Sequence, residues 1–255
     1  MIAAKALAAQ KQAEAIEAVQ STLPTDISKE NLVAILDEDF SYQRWTTAVE
    51  QLDGNWTYML IDSQLPNAFV TEIMPRHIFI TTSMLNIIGN EDELALVLGH
   101  ELSHMLLGHI SEKNMVETML RTVEVLLLSM DPTSGVLSLL FVGSLATLRT
   151  AFTAAHSREH EHEADELGIQ LAAMACFNTR KAASVFQKLH EQAGAPNGKR
   201  LLSFADTHPS SSDRYEKLIL ASTTENVDKY ANTSCSSVKS RLRSVMNTSG
   251  GSSNR

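Results

Sequence analysis

The chain is poor in cysteine, carries no excess of positive charge and shows no secretory leader at its first residues. Two cysteines in 255 residues exclude a disulfide-dense scaffold, and neither stands in a Cys-x-x-Cys metal motif. A net charge of −9 and a pI of about 5.5 argue against a nucleic-acid partner. Without an apolar leader or an Arg/Ser-rich transit segment, we expect a mature or trimmed form. At 44% hydrophobic residues, the sequence predicts a globular chain with a sizeable core.

The two cysteines allow two interpretations. Cys176 follows the apolar residues 171–175, so we expect it to be a small buried side chain inside a helix. A disulfide with Cys235 in an oxidising compartment is the alternative.

Residues 132–148 carry no charged side chain, but Pro, Ser, Thr and Gly interrupt them. A membrane-spanning helix needs about 20 apolar residues in succession. The simpler interpretation is therefore a hairpin of two buried helices over residues 122–148. A hairpin that faces or re-enters a membrane is the alternative.

The sequence His100-Glu101-Leu102-Ser103-His104 carries the strongest chemical signal. Residues four apart share one face of a helix, so both imidazoles can bind one cation. The glutamate between them lies on the adjacent flank, where it can move protons for a metal-bound water. Asn90 is a good N-cap for this helix, and Glu93 stands where a capping-box partner reaches back.

The residues before this motif, 94–99, are apolar nearly all round, which predicts a buried helix. Burying two histidines and a glutamate is costly unless something satisfies them, and a metal ion does so. The alternative is a chance His/Glu pattern on a surface helix, which such apolar flanks do not favour.

A zinc site needs a third protein ligand, and residues 157–168 supply several candidates. Glu161 and Asp165 share a helix face, so one can bind metal while the other orients a ligand histidine. Spacing alone leaves Glu161, Glu163 and the neighbouring histidines open as the ligand. A charged helix face in water is the alternative for the segment taken alone. We expect Glu159, His162, Glu163 and Glu166 to face water or the rim of the site.

These motifs together resemble the gluzincin metallopeptidases that include HtpX and the CAAX prenyl proteases. The resemblance rests on H-E-x-x-H followed by S-R-x-x-E-x-x-x-D, on Pro66-Asn67-Ala68-Phe69, and on Thr207-His208-Pro209 with Arg214. It covers roughly residues 50–222. The segments 172–176 and 181–186 look most like the mitochondrial inner-membrane branch of the family.

The resemblance implies a role for each matching residue. His100, His104 and Glu161 would hold one Zn²⁺ per chain, Asp165 would orient a ligand histidine, and Glu101 would act as the base. Asn67, Ala68 and Phe69 would contact substrate, unless they form an ordinary edge strand. His208 would be an oxyanion donor, a latch on the open zinc position or a loop-packing residue, with Arg214 supporting it through the carboxylates.

The implied function is a zinc metalloendopeptidase that cleaves membrane proteins in quality control or stress-regulated processing. The implied partners are protein substrates and a membrane, with homo-oligomerisation possible, and the implied location is the mitochondrial inner membrane. An inactive zincin that serves as a chaperone or binding module is one alternative. A protease of the bacterial cell envelope is the other.

Two further groups of histidines need separate expectations. His109 is five residues from His104, which turns it off the metal face of a continuous helix, so we expect a structural or exposed role. His156 and His160 are four residues apart and form a possible second metal site. The alternative is that this charged segment faces water.

The elements predict an α+β fold, mostly helical and zincin-like, with a small antiparallel sheet beside the active-site helix. We expect strands over 56–61, 68–72 and 77–82, followed by the zinc helix continuing towards residue 130. The predicted organisation is an N-terminal helical segment (1–50), a zinc metallopeptidase domain (51–222), and a C-terminal helix with a flexible tail (223–255).

Overall fold

Helices dominate the protein, and a computed structural model describes residues 1–23, 28–71, 73–129, 157–193, 208, 212–233, 235–236, 238 and 240. In chain order the elements are α1 (Ile2–Ser21), α2 (Lys29–Glu38), α3 (Phe40–Leu52), β1 (Thr57–Ile61), β2 (Ala68–Val70), β3 (His77–Thr81), α4 (Thr82–Ile87), α5 (Glu91–Leu106), α6 (His109–Ser129), α7 (157–174), α8 (Thr179–Ala182), α9 (Ser184–Ala193), α10 (Ser212–Thr224) and α11 (Val227–Tyr230). The mostly helical α+β class is confirmed.

The three strands form a mixed sheet in the order β1-β3-β2. β1 runs parallel to β3, with Thr57 opposite His77, whereas β2 runs antiparallel to β3, with Phe69 opposite Phe79. The expectation of an antiparallel sheet is therefore wrong for β1. A parallel pair needs a crossover connection. Here the chain that leaves β1 first forms β2 and then returns to form β3 between β1 and β2. Within the described part of the chain, β2 is an edge strand.

The zinc helix α5 lies between two apolar clusters, as its apolar flanks predicted. Leu102 and Leu106 pack with residues of α1, α3, β3 and α7, whereas Leu96 and Val97 pack with β2, α4, α7, α9 and α10. Each such side chain, fully buried, contributes roughly 1.5–3 kcal/mol. α5 is thus fixed on both sides, and its polar motif is carried into the interior.

The start of α5 follows the predicted capping pattern with one difference. Asn90 Oδ1 accepts a hydrogen bond from the Glu93 N–H at 3.0 Å, which confirms the N-cap. The Glu93 carboxylate accepts from the Gly89 N–H at 2.7 Å rather than from Asn90. It also pairs with Lys188 Nζ at 2.7 Å and accepts from the Ser184 hydroxyl at 2.7 Å. Glu93 therefore ties the start of the zinc helix to α9.

The end of α5 differs from the expectation of one helix reaching residue 130. The helix stops at Leu106, Gly108 takes a left-handed conformation with φ of 72°, and α6 starts at His109. Glycine adopts this conformation without steric cost, so it is the usual residue just past a helix end. The break changes the direction in which His109 projects.

A close approach of α5 and α7 brings the two halves of the zinc motif together. Gly99 and Gly168 lie at the crossing, and a Cβ on Gly168 would stand 2.9 Å from the backbone nitrogen of His100. Two glycines at this point allow backbone contact, because no side chain separates the helices. The acidic residues of α7 thereby come within reach of the α5 histidines.

Cys176 and Cys235 form a disulfide, which corrects the expectation of a buried helical cysteine. Helix α7 stops at residue 174, so Cys176 lies beyond it with φ of 75° and is only partly buried. Cys176 is therefore free of the helix and reaches a cysteine 59 residues away.

The predicted hairpin over residues 122–148 is described only in part. Residues 122–129 form the end of α6, where Val123, Val125 and Leu126 are exposed, so the expectation of burial is wrong there. The rest of the hairpin, like the tail from 241, lies outside the described residues. Among the residues that the structure does describe, no helix combines the length and apolarity needed to cross a bilayer.

Candidate metal centre

Four side chains that could bind a metal converge in the interior, one donor atom from each lying within 4.8 Å of the others: His100, His104, Glu161 and His208. All four are buried, and they come from α5, α7 and the segment before α10. His100 Nε2 lies 3.1 Å from His104 Nε2 and 3.2 Å from His208 Nδ1. Glu161 lies 3.5 Å from His100 Nε2 and 3.3 Å from His104 Nε2.

These separations fit a tetrahedral zinc ion. Ligand atoms about 2.0–2.1 Å from zinc stand about 3.3 Å from one another, close to the 3.1–3.5 Å that separate these atoms. Metal binding requires both rings to be neutral. The Nε2 lone pairs of His100 and His104 would then point at the space between them, where a cation could be held.

His100 lies next to the carboxylate of Asp165, which is itself fixed by hydrogen bonds from Arg214. His100 Nδ1 lies 3.0 Å from Asp165 Oδ1, and Arg214 donates to both Asp165 oxygens at 2.7 and 2.8 Å. Arg214 Nη1 also lies 2.9 Å from Glu161 Oε2. Burial alone would raise the pKa of Asp165, but His100 and Arg214 outweigh it and lower the pKa.

The charges of the centre favour ionised carboxylates. Burial acts to raise the pKa of Glu161, but hydrogen bonds from His100, His104 and His208 lower it further than burial raises it. Burial lowers the pKa of His104 to about 4, so this ring is neutral at pH 7 and able to bind metal. Burial opposes charge on His100 as well, but Asp165 and Glu161 raise its pKa to about 9 without a metal.

Glu101 lies on the flank of α5, beside the cluster. Its Oε1 atom is buried, has no hydrogen-bond partner among the described residues, and lies 3.4 Å from His208 Nε2. Burial raises the pKa of Glu101. A carboxylate in this state is suited to accept a proton near neutral pH.

His109 and His160 are more deeply placed than their spacing predicted. His109 Nδ1 lies 2.9 Å from His104 Nδ1, and His109 Nε2 lies 3.0 Å from Glu163 Oε2. The His160 ring stacks on His109 with centroids 4.1 Å apart, and its Nε2 lies 3.3 Å from Glu112. The solvated alternative is thus wrong for His160, which is buried, whereas Glu163 is exposed as expected. His156 lies outside the described residues.

The segment predicted to contact substrate forms the start of the edge strand β2. The backbone of Asn67 pairs with Thr81, and the buried Oδ1 of Asn67 has no partner among the described residues. Ala68 is buried in the cluster that contains Leu96 of α5. Phe69 lies on the opposite face of the sheet and stacks on Phe79 with centroids 4.9 Å apart. The strand therefore borders the zinc helix through Ala68.

The sequence profile of peptidase family M48 matches residues 41–220. The chain belongs to peptidase family M48. This confirms the predicted metallopeptidase resemblance, and M48 metallopeptidases are zinc-dependent. The family assignment and the His/Glu cluster thus agree on the cofactor.

Curated relatives lie in mitochondria and in bacteria. The chain is 34% identical over 171 residues to the human "Metalloendopeptidase OMA1, mitochondrial", covering 64% of this chain and 32% of that protein. It is 32% identical over 168 residues to the "Mitochondrial metalloendopeptidase OMA1" of Schizosaccharomyces pombe, covering 65% and 46%. It is 30% identical over 131 residues to "Metalloprotease YcaL" of Escherichia coli, covering 51% and 48%. The chain thus spans about a third to a half of these relatives.

Proposed function

We propose that this M48 chain is a zinc metalloendopeptidase that acts on membrane proteins in mitochondrial quality control. The observation that carries the proposal is the buried His100–His104–Glu161–His208 cluster with Glu101 beside it. A structural zinc site has no need of a buried carboxylate next to the ligands, such as Glu101, whose Oε1 atom has no hydrogen-bond partner in the described part of the chain. A hydrolase does, since a base must stand where the water attacks.

In the proposed mechanism His100, His104 and Glu161 would hold the ion. When bound, zinc polarises a carbonyl and lowers the pKa of a water. Glu101 removes a proton from the attacking water at its Oε1 atom and delivers it to the leaving amide nitrogen. Asp165 and Arg214 keep His100 oriented, and Arg214 also neutralises part of the charge of Glu161.

We propose that His208 acts as a latch rather than as an oxyanion donor. Its Nδ1 atom lies 3.0 Å from Glu161 Oε1 and 3.2 Å from His100 Nε2, so His208 occupies the fourth position of the cluster. Its Nε2 atom faces Glu101 at 3.4 Å. A substrate that reaches this position has to move His208 aside.

The proposed substrate contact is the edge strand β2. An extended peptide can add to such an edge by main-chain hydrogen bonds, which holds its scissile bond near the zinc helix. The proximity of Ala68 to α5 supports this role, as does the buried Oδ1 of Asn67, which has no hydrogen-bond partner among the residues that the structure describes. Phe69 faces away from α5, so its contribution is to stiffen the strand by stacking on Phe79.

The proposed location is the mitochondrion, on the strength of the mitochondrial relatives. An inner-membrane position is the finer part of the proposal. Support comes from α6, which presents exposed Met115, Met119, Val123 and Leu126 along one face directly after the zinc helix. Such a stripe is typical of contact with a membrane or another protein. A bacterial role is the second candidate, favoured by the similarity to the Escherichia coli metalloprotease YcaL.

Cleavage of casein or a quenched peptide by the purified chain tests the core of the proposal. We expect activity that a chelator abolishes and added zinc restores. Zinc binding without cleavage of any substrate would instead support an inactive zincin that serves as a binding module.

A further inference from the structure

We propose that His109 and Glu163 hold His104 in the orientation in which it binds zinc, making both of them positioning residues. The inference rests on the proposed zinc site. Neither residue belongs to H-E-x-x-H or to the pair Glu161 and Asp165, and His109 lies beyond the end of α5. Yet His109 is 4% exposed and sits directly behind a ligand.

The distances decide which nitrogen of each ring carries its proton. His104 directs Nε2 at Glu161 and His100, so Nε2 is the atom that would face a bound metal. A ligand nitrogen is unprotonated, so the proton of the neutral ring stands on Nδ1. His104 Nδ1–H therefore donates to His109 Nδ1, 2.9 Å away. The proton of His109 then stands on Nε2, which donates to Glu163 Oε2 at 3.0 Å.

His109 is itself fixed by contact with α7. Its ring stacks nearly parallel on His160 of α7, at 7° and 4.1 Å. His160 in turn lies 3.3 Å from Glu112 of α6. The left-handed turn at Gly108 directs the start of α6 so that His109 faces back to α5. The Nδ1 atom of His109, which accepts the hydrogen bond from His104, is therefore held in a fixed position.

This arrangement parallels the support of the other ligand histidine. His100 Nδ1 lies 3.0 Å from the buried carboxylate of Asp165, whereas His104 reaches the carboxylate of Glu163 through His109. Glu161, Asp165 and Glu101 are already buried here, and another buried carboxylate would cost further desolvation. Inserting a neutral imidazole lets the charge of Glu163 remain at the surface, where its side chain is 51% exposed.

The test compares two replacements of His109 that differ in one hydrogen-bond acceptor. His109→Phe keeps a ring to stack on His160 but cannot accept from His104. His109→Asn places an amide oxygen near the former Nδ1 and can accept. Loss of such an outer partner typically weakens metal binding about 10–100-fold. We therefore expect zinc affinity to fall about 10–100-fold in His109→Phe. In His109→Asn, zinc affinity should stay close to that of wild type.

Zinc affinity is measured on the full chain by competition with a chromophoric chelator. Glu163→Ala should weaken binding less than His109→Phe, because the imidazole acceptor remains. Glu159→Ala removes an exposed carboxylate of the same helix and serves as the matched control, with unchanged affinity. Thermal melting of the metal-free variants separates lost folding from lost orientation.

Equal zinc affinity in wild type and His109→Phe would overturn the inference. Equal losses in His109→Phe and His109→Asn would also overturn it, since packing rather than acceptance would then matter. Wild-type protein that binds no zinc would overturn the proposed function and this inference with it. A measurement without substitutions is nitrogen-15 NMR of the imidazoles, in which zinc-loaded protein should show protons on His104 Nδ1 and His109 Nε2. A His109 proton on Nδ1 would contradict the relay.

Discussion

His208 Nε2 lies 3.4 Å from Glu101 Oε1, so the proposed latch and the proposed base face each other across the metal cluster. The place where a water must stand to lose its proton to Glu101 therefore adjoins His208. Removal of the His208 side chain should raise turnover, whereas removal of the Glu101 carboxylate should lower it.

His208→Ala should raise basal peptide cleavage while zinc content is kept. A latch that favours the closed state by about 1 kcal/mol restrains activity roughly fivefold. Initial rates on a quenched peptide, beside zinc content, measure the effect. His190→Ala, at an exposed position of α9, is the control. Loss of turnover with zinc retained would instead identify an oxyanion donor, and unchanged kinetics would exclude both roles.

Glu101→Gln should retain zinc and lose activity. The amide fills the same space but cannot accept the proton, and positioned proton transfer contributes about 10²–10⁴-fold to rate. Metal analysis and peptide cleavage of the same preparation check the two parts. Glu91→Gln, an exposed residue in the first turn of α5, is the matched control. Peptidase activity that survives in Glu101→Gln would refute the assignment of the base.

Glu161→Ala should lower zinc content and affinity by more than about tenfold, because a ligand contributes more than an outer partner. The same change at Glu159, exposed on the same helix, should leave both unchanged. Metal analysis of the purified proteins decides the matter. Unchanged zinc content in Glu161→Ala would move the third ligand to Glu163 or to a histidine.

Glu93→Gln should destabilise the protein by about 1–2 kcal/mol at pH 7, since charge-assisted bonds are lost and Lys188 is partly exposed. Burial alone would raise the pKa of Glu93, but Lys188, the Gly89 N–H and Ser184 lower it below the ordinary 4.5. The unfolded chain therefore takes up the proton first as pH falls. The stabilisation is complete above pH 4.5 and disappears below it, as pH falls through the folded pKa.

Denaturant unfolding of wild type and Glu93→Gln across this pH range should show a difference that narrows in acid. Glu191→Gln, exposed on α9, is the control for loss of an acidic charge. A difference that stays constant as the pH falls below 4.5 would rule out this account.

The zinc helix could be predicted because its signals are local. Asn90 caps the first turn, and the apolar run after it demands burial, so His100 and His104 had to enter the interior together. The strands were also predicted within two residues of their ends. The parallel direction of β1 was missed. The alternation of apolar and polar residues along a strand shows which side chains share a face of the sheet, but not which strand pairs with it or in which direction.

The support of His104 was missed because helix phase was extended across Gly108. On a continuous helix a residue five positions on points elsewhere, but the left-handed turn restarts the phase at His109. A glycine four residues after His104, followed by another histidine, is the signal that would have indicated this. Cys176 was misjudged in the same way, because the end of α7 at residue 174 carries no glycine or proline to mark it.

The disulfide between Cys176 and Cys235 closes a ring of chain that contains His208 and Arg214. One cut anywhere inside this ring leaves the two pieces covalently joined. A nicked molecule would keep its apparent mass on a denaturing gel until a reductant is added, and only then yield two bands. Comparison of reduced and unreduced samples is therefore the way to see whether the protein has been cut within this region.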